Sequence, residues 1–254
     1  MNRFLSVFIL FFMFCSVFVF AEDLSDANSI LRSMELSLNP KVYHAVFKME
    51  SHYPDRPDPA VMVFESWYKE GVGSFIVVLE PARSKGMRFL QKEGSLWMYN
   101  PRAGSKRPVR LSARASFQGS LFSNHDVSDP QYTDDYDAKI MSVERVEHPE
   151  LGIVDMYILE AVAKRSDVAY GRVVIYVVKD SLIPFKIKYY SRSDFLIKEM
   201  ILSGVKDIAG ALRPTIYRMD SFEQEGAYSV VEVSSMEALK ELGDEMFSRS
   251  ALTR

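Results

Sequence analysis

The chain has 254 residues, 48% of them hydrophobic and 13% aromatic, which is ample for one sizeable core. A formal net charge of -3 excludes a general nucleic-acid binder, because no overall cationic field draws in phosphates. The single cysteine, Cys15, excludes a disulfide scaffold.

Met1-Asn2-Arg3 is a short basic start, and Phe4 to Phe20 is almost wholly apolar. Val19-Phe20-Ala21 closes the run with compact side chains at the two positions a signal peptidase reads, and Glu22-Asp23 follows. The pattern predicts a secretory signal peptide over residues 1–21, cleaved after Ala21. A retained membrane anchor is the rival reading, since the run is nearly long enough to span. Lipoprotein-type cleavage at Cys15 would acylate that residue, but bulky Phe14 precedes it and the apolar run continues past it, which disfavours a lipid anchor there. Residues 22–254 then form one cysteine-free domain whose core must stabilise it alone. No later stretch is long and apolar enough to cross a bilayer.

Asp23 to Leu38 reads as an amphipathic helix. Leu24, Ala27, Ile30, Leu31, Met34 and Leu38 recur at three- and four-residue steps, Ser25 or Asp23 offers an N-cap, and Asn39-Pro40 stops it. From Lys41 the period changes to two, with Tyr43, Ala45, Phe47 and Met49 on one face. Strands follow at Val61 to Tyr68 and Ser74 to Leu79. Met87 to Leu90 and Leu96 to Tyr99 form a hairpin about Lys92-Glu93-Gly94-Ser95, ended by Asn100-Pro101. A basic segment with Arg102, Lys106, Arg107, Arg110 and Arg114 comes next, then the small and apolar residues Phe117, Gly119, Leu121 and Phe122. Asp126 to Asp137 reads as an acidic, solvated loop. Seven more strands are expected between Ala138 and Val233, and Met236 to Phe247 forms a short helix or an irregular cover. Turns rather than long helices join the strands, which indicates an antiparallel meander. The expected fold is α+β: a strongly curved antiparallel sheet, an incomplete barrel of about ten or eleven strands, covered by the N-terminal helix and a helical or looped lid. A helix laid inside such a sheet leaves an apolar space fit for an acyl chain.

The order of pieces between Trp97 and Asp126 is more specific. Trp97-x-Tyr99-x-Pro101, the basic run, Val109-Arg110-Leu111-Ser112, then Phe117-x-Gly119-Ser120-x-Phe122-Ser123-Asn124-x-Asp126 resembles the LolA/LolB-like outer-membrane lipoprotein-sorting proteins. Lys198 to Leu202, a glycine, Arg213-Pro214, Val230 to Val233 and Glu245-Met246-Phe247 are similar to the closing pattern of that family. The resemblance implies a periplasmic carrier or chaperone that shields acyl chains of a lipoprotein or phospholipid. It also implies an inner-membrane transporter and an outer-membrane acceptor as partners, with transient membrane contact.

The cavity candidates are Phe64, Phe75, Phe89, Trp97, Tyr99, Phe185 and Tyr189, for which ordinary core packing is the plain alternative. Phe117, Leu121 and Phe122 are the lid candidates, with Gly119 and Ser120 supplying flexibility. Arg102, Lys106, Arg107, Arg110 and Arg114 are candidates for docking a partner or lipid headgroups, against the alternative of a solvated loop. No cofactor, metal site or enzyme activity is expected. The sequence carries no Gly-x-Ser-x-Gly, P-loop or His-Glu-x-x-His motif, and His44, His52, His125 and His148 lie apart. The rival to a carrier is a non-catalytic structural or accessory subunit of a cell-envelope complex.

Overall fold

A computed structural model describes residues 26–104, 107–127 and 132–254. The expected signal peptide, Cys15 and Lys106 lie outside the described residues. Helix α1 spans Ala27–Leu38, and the Asp26 side chain caps it by accepting from the Ser29 N–H at 3.1 Å. The cap is therefore Asp26 rather than Ser25 or Asp23. Asn39, in extended backbone before Pro40, ends the helix as the sequence predicts.

Strands β1 (Val42–His52), β2 (Ala60–Lys69), β3 (Gly73–Glu80), β4 (Arg88–Lys92), β5 (Ser95–Tyr99) and β6 (Val109–Arg110) run as an antiparallel meander. Between β4 and β5, Glu93 and Gly94 both have positive φ (51° and 67°), the signature of a tight two-residue hairpin turn. After short helices α2 (Asn124–Val127) and α3 (Tyr132–Asp135), a second meander follows. It comprises β7 (Tyr136–His148), β8 (Gly152–Ala163), β9 (Arg172–Val178), β10 (Pro184–Tyr190) and β11 (Leu196–Ser203). β12 (Lys206–Ile208) and β13 (Ala211–Arg213) make a small separate hairpin, and β14 (Ile216–Ser221) and β15 (Tyr228–Ala238) complete the chain's strands.

The main sheet has thirteen strands in the order β6-β5-β4-β3-β2-β1-β15-β14-β11-β10-β9-β8-β7. Every neighbouring pair is antiparallel, and β6 and β7 are free edges, so the sheet curls without closing. Its strand number exceeds the expected ten or eleven. One reason is β6, two residues long and without a periodic signal. The predicted Arg213–Asp220 strand is divided at Pro214-Thr215, because proline cannot donate to a ladder, and Arg213 falls in the separate β12–β13 hairpin. Of the short helix or irregular cover expected over Met236 to Phe247, the structure has the irregular cover. Met236 to Ala238 continue β15, and only Asp244–Phe247 makes a short 3-10 turn.

The two sheet faces carry separate cores. The inner face packs Phe64, Ile76, Val78, Phe89, Leu159, Ile175 and Tyr189 around Ile30, Leu31 and Met34 of α1. Each of those three helix side chains is wholly buried, worth about 1.5–3 kcal/mol apiece. The outer face of β3 to β5 packs Phe75 and Leu90 under Phe247 and Leu252, so the C-terminal segment is a strap across the outside.

One buried histidine makes a pH prediction. His148 Nδ1 accepts from the Glu150 and Leu151 N–H groups at 3.1 and 3.2 Å, and its ring lies 4.6 Å from Phe185. Burial holds its pKa below the ordinary imidazole value of 6.5. The neutral ring is therefore the folded form. Its stabilising contribution is complete above pH 6.5 and is lost as the pH falls through that value toward the folded pKa. Urea midpoints at pH 7 and pH 5.5 should converge in His148→Asn, which keeps an acceptor but does not titrate, relative to the native chain. An unchanged pH slope would refute the assignment.

Candidate functional site

The site is the interior of the curled sheet and the segment that closes it, residues 111–127. Phe117 has no exposed surface and inserts between sheet rings, 5.0 Å from Phe89 and 6.1 Å from Phe64. Phe122 is buried with it, whereas Leu121 is half-buried against the same core. These are the three lid candidates, and they pack together over the interior. Gln118 and Gly119, both at positive φ, turn the chain between them.

The lid is held by polar contacts as well as by these rings. The Leu121 N–H donates to Ser229 Oγ at 3.0 Å, and the Leu121 carbonyl accepts from Lys198 Nζ at 2.6 Å. Tyr53 OH donates to the Gly119 carbonyl at 2.7 Å, and Ser229 Oγ donates to Ser51 Oγ at 2.9 Å. Asp126 caps its own turn by accepting from the Ser123 N–H, and Tyr170 OH donates to the same carboxylate oxygen, both at 2.7 Å. Nearby, the Tyr132 and Tyr189 hydroxyls lie 3.2 Å apart. Burial raises the pKa of all three tyrosines, with the Asp126 charge adding to the effect, so they stay neutral donors. Burial lowers the pKa of Lys198 while Asp126 opposes the shift.

The seven cavity candidates do not form one set. Phe64, Phe89 and Tyr189 belong to the inner core. Phe75, Trp97 and Tyr99 lie on the outer face beneath the C-terminal strap, and Phe185 is half-buried against His148. The hairpin register gives the reason: Phe89 opposes Met98, while Leu90 opposes Trp97, so Phe89 and Trp97 point to opposite sides.

The basic residues are likewise divided. Arg102 donates to the Ala82 carbonyl. Arg114 donates to the Val168 carbonyl at 3.2 Å and to that of Ser166, tacking the lid to the β8–β9 loop. Arg107 and Arg110 are exposed. Arg110 lines a cavity of about 1020 Å³ together with Tyr68, Gln91, His125, Asp135 and Arg165. That cavity is polar, and none of the seven aromatic candidates lines it. The expectation of a solvated acidic stretch holds for the exposed Asp134 and Asp137, Asp129 lies outside the described residues, and the expectation is corrected at Asp135, which is buried. It lies 3.6 Å from His125 and 2.8 Å from Arg165. Burial raises its pKa, against the pull of those two neighbours.

Comparison with known proteins decides the relationship. A LolA superfamily protein from Nitrosomonas europaea matches with a TM-score of 0.78 at 26% identity, over 89% of this chain and 99% of that one. A DUF1329 family protein from Desulfovibrio piger has a TM-score of 0.78 at 25% identity, over 89% and 97% of the two chains. A domain described as outer membrane lipoprotein-sorting, from Vibrio parahaemolyticus, has a TM-score of 0.77 over 90% and 98%, and at 19% identity it shows the fold alone. No curated protein matches the sequence. A family model described as that of an uncharacterized protein matches residues 70–254. The chain belongs to this LolA-like family.

The LolA-like fold explains why the lid and α1 share one interior: both cover the concave face of a sheet that has no second layer. Glu35 of α1 accepts from the Thr133 N–H and hydroxyl at 2.9 and 2.6 Å, which ties α1 to α3. Sequence reading missed Ser51, Tyr170, Lys198 and Ser229 in this LolA-like chain. Lys198 shares a face with Met200 and Leu202, but the intervening Ile197 and Ile201 are equally apolar, so alternation could not tell inside from outside. Among the described residues, no group of three or more His, Cys, Asp or Glu side chains is placed to hold a metal, and no helix is long and apolar enough to cross a membrane.

Proposed function

We propose that this chain is a non-catalytic, exported carrier that shields the acyl chains of a lipoprotein or another lipid between its concave sheet face and its lid. The observation that carries this reading is Phe117. It is an aromatic side chain of a connecting segment, seated wholly inside the sheet against Phe64 and Phe89. An acyl chain offers the same apolar contact at about 0.8 kcal/mol per CH₂, so cargo can replace the lid's rings without leaving the sheet bare. The neighbour whose name refers to lipoprotein sorting supports the reading through its fold. Within it, Phe64, Phe89 and Tyr189 line the acyl site, and Phe117, Leu121 and Phe122 are the displaceable plug. The exposed Arg107 and Arg110 give a salt-sensitive contact with an acidic partner or lipid phosphates, as transfer between membranes requires. Release requires a partner with an equally apolar site, an inner-membrane transporter loading the carrier and an outer-membrane acceptor unloading it.

The second reading, an accessory subunit of an envelope complex, is favoured by the packed interior: Ile30, Leu31, Met34 and Phe117 already fill the apolar face. Native mass spectrometry distinguishes the two. Protein expressed from the full-length sequence and recovered without detergent should carry lipid-sized adducts, fewer in Phe64→Asp and unchanged in Trp97→Asp. A bare mass that takes up no fluorescent fatty acid would sink the carrier and leave the accessory subunit.

A further inference from the structure

Wall and lid divide the polar chemistry of the interior unequally. Ser229 Oγ accepts from the Leu121 N–H and donates to Ser51 Oγ, and the wall's two donors to the lid are the Lys198 ammonium and the Tyr170 hydroxyl. The lid supplies the acceptors that meet them, the Leu121 carbonyl and the Asp126 carboxylate. Lys198 Nζ also lies 5.7 Å from the centre of the Tyr170 ring, so ammonium, ring and carboxylate form one cluster. Closing the lid thus sets the Asp126 charge beside the half-buried Lys198 ammonium, which also feels exposed Glu223. Withdrawing residues 111–127 to admit an acyl chain removes that negative charge and both acceptors together. An ammonium that loses its hydrogen-bond acceptor at the edge of an apolar interior carries a desolvation cost that a new acceptor would offset. A chain with no acceptor could not offset that cost.

We infer that Lys198, with Tyr170, Ser229 and Ser51, is a head-group subsite for an amphiphile bearing a single oxyanion, which takes the places vacated by Leu121 and Asp126. The inference rests on the carrier reading and adds its ligand class: an acyl chain ended by a carboxylate or a phosphate. Lys198 is the specificity-determining residue, because it supplies the one full positive charge in the cluster. The Leu121 carbonyl, which accepts from Lys198, is the oxyanion's internal stand-in, and withdrawal of the Leu121 N–H leaves Ser229 Oγ open to a new partner. The Asp126 oxygen that Tyr170 does not use is buried and has no hydrogen-bond partner among the described residues. Closure therefore leaves part of this cluster unsatisfied, as a site kept for exchange rather than for maximal stability would be.

The test compares head groups on one tail length. Oleate, oleoyl lysophosphatidylglycerol, monooleoylglycerol and oleylamine are titrated into the full-length chain and into Lys198→Met, Lys198→Arg and Ser229→Ala. The native chain should bind the two anions about tenfold tighter than the neutral or cationic amphiphile. Lys198→Met should abolish that preference, Lys198→Arg should keep it, and Ser229→Ala should weaken it in part. Preference for oleate alone or for the phosphate alone identifies the source of the oxyanion. A Lys198→Met chain that binds every amphiphile more tightly would overturn the inference, since a residue that only clasps the lid gives that result. Equal binding of all four by the native chain overturns the subsite and leaves the carrier standing. No binding of any of them removes both. Should Lys198→Met fail to fold, the Lys198→Arg and Ser229→Ala preferences decide.

Discussion

Phe89→Ala should lower the stability of this chain by about 3–5 kcal/mol, the usual cost of emptying a fully buried aromatic site. Phe89 has no exposed surface, sits on the inner face of β4 and lies 5.0 Å from the Phe117 ring of the lid. The cavity opens between lid and sheet, where neither can collapse without pulling on the other. Urea denaturation gives the loss directly, and thermal unfolding should shift by roughly 2–4 °C per kcal/mol at this chain length. Trp97→Ala, eight residues on but on the outer face, should cost only about 0.5–3 kcal/mol, because that ring is half-buried. The pair separates two effects. Only Phe89→Ala should also change acyl-chain uptake. Equal losses from the two substitutions, with uptake altered in both, would contradict the division of the faces.

The outer face makes the second large prediction. Phe247 and Leu252 are wholly buried against Phe75 and Leu90, and Arg88 Nη1 holds the carbonyls of Leu252 and Arg254 at 2.9 and 2.6 Å. Phe247→Ala should therefore cost about 3–5 kcal/mol and loosen the strap over residues 239–254. Limited proteolysis should cut that segment first, and a dye that reports apolar surface should brighten as Phe75, Leu90 and Trp97 become bare. Acyl uptake should persist under conditions where the sheet remains folded. If proteolysis instead attacks residues 111–127 first, the strap and the lid are coupled through the sheet, and the outer face bears on the interior.

Much of the fold was legible in the sequence because period, turn chemistry and caps agree with one another. Leu31 and Met34 mark the buried stripe of α1, and Lys92-Glu93-Gly94-Ser95 marks the hairpin. The pieces from Trp97 to Asp126 carry the family likeness. What alternation could not do was relate one strand to the next. Phe75, Phe89 and Trp97 all read as apolar strand residues, yet the register sets Phe89 inside and the other two outside. The signal for this was present: a two-residue turn pairs Lys92 with Ser95, and counting back pairs Leu90 with Trp97. Asp126 and Asp135 misled for another reason. Acidic residues in a turn-like stretch normally face water, and only tertiary partners show the burial. Tyr170 and the Ser123 N–H hold Asp126, and Arg165 and His125 flank Asp135. Lys198 could not be found at all by pattern, since a lone lysine in a strand is ordinarily a solvated one.

The joint between β1 and β15 has a kinetic meaning. Every other seam of the thirteen-stranded sheet joins strands close in the chain, with only the small β12–β13 hairpin set between β11 and β14. This seam pairs Tyr43 with Ala238 and His52 with Tyr228, so its closure spans most of the polypeptide. Loop-closure entropy must be met there before any contact offsets it, which makes this the slow step of assembly. Until then β1 stands as an open edge of one half and β14 of the other, each able to pair with the wrong strand. The halves join only when β15 arrives, so the chain has no finished interior until almost its whole length is free to fold.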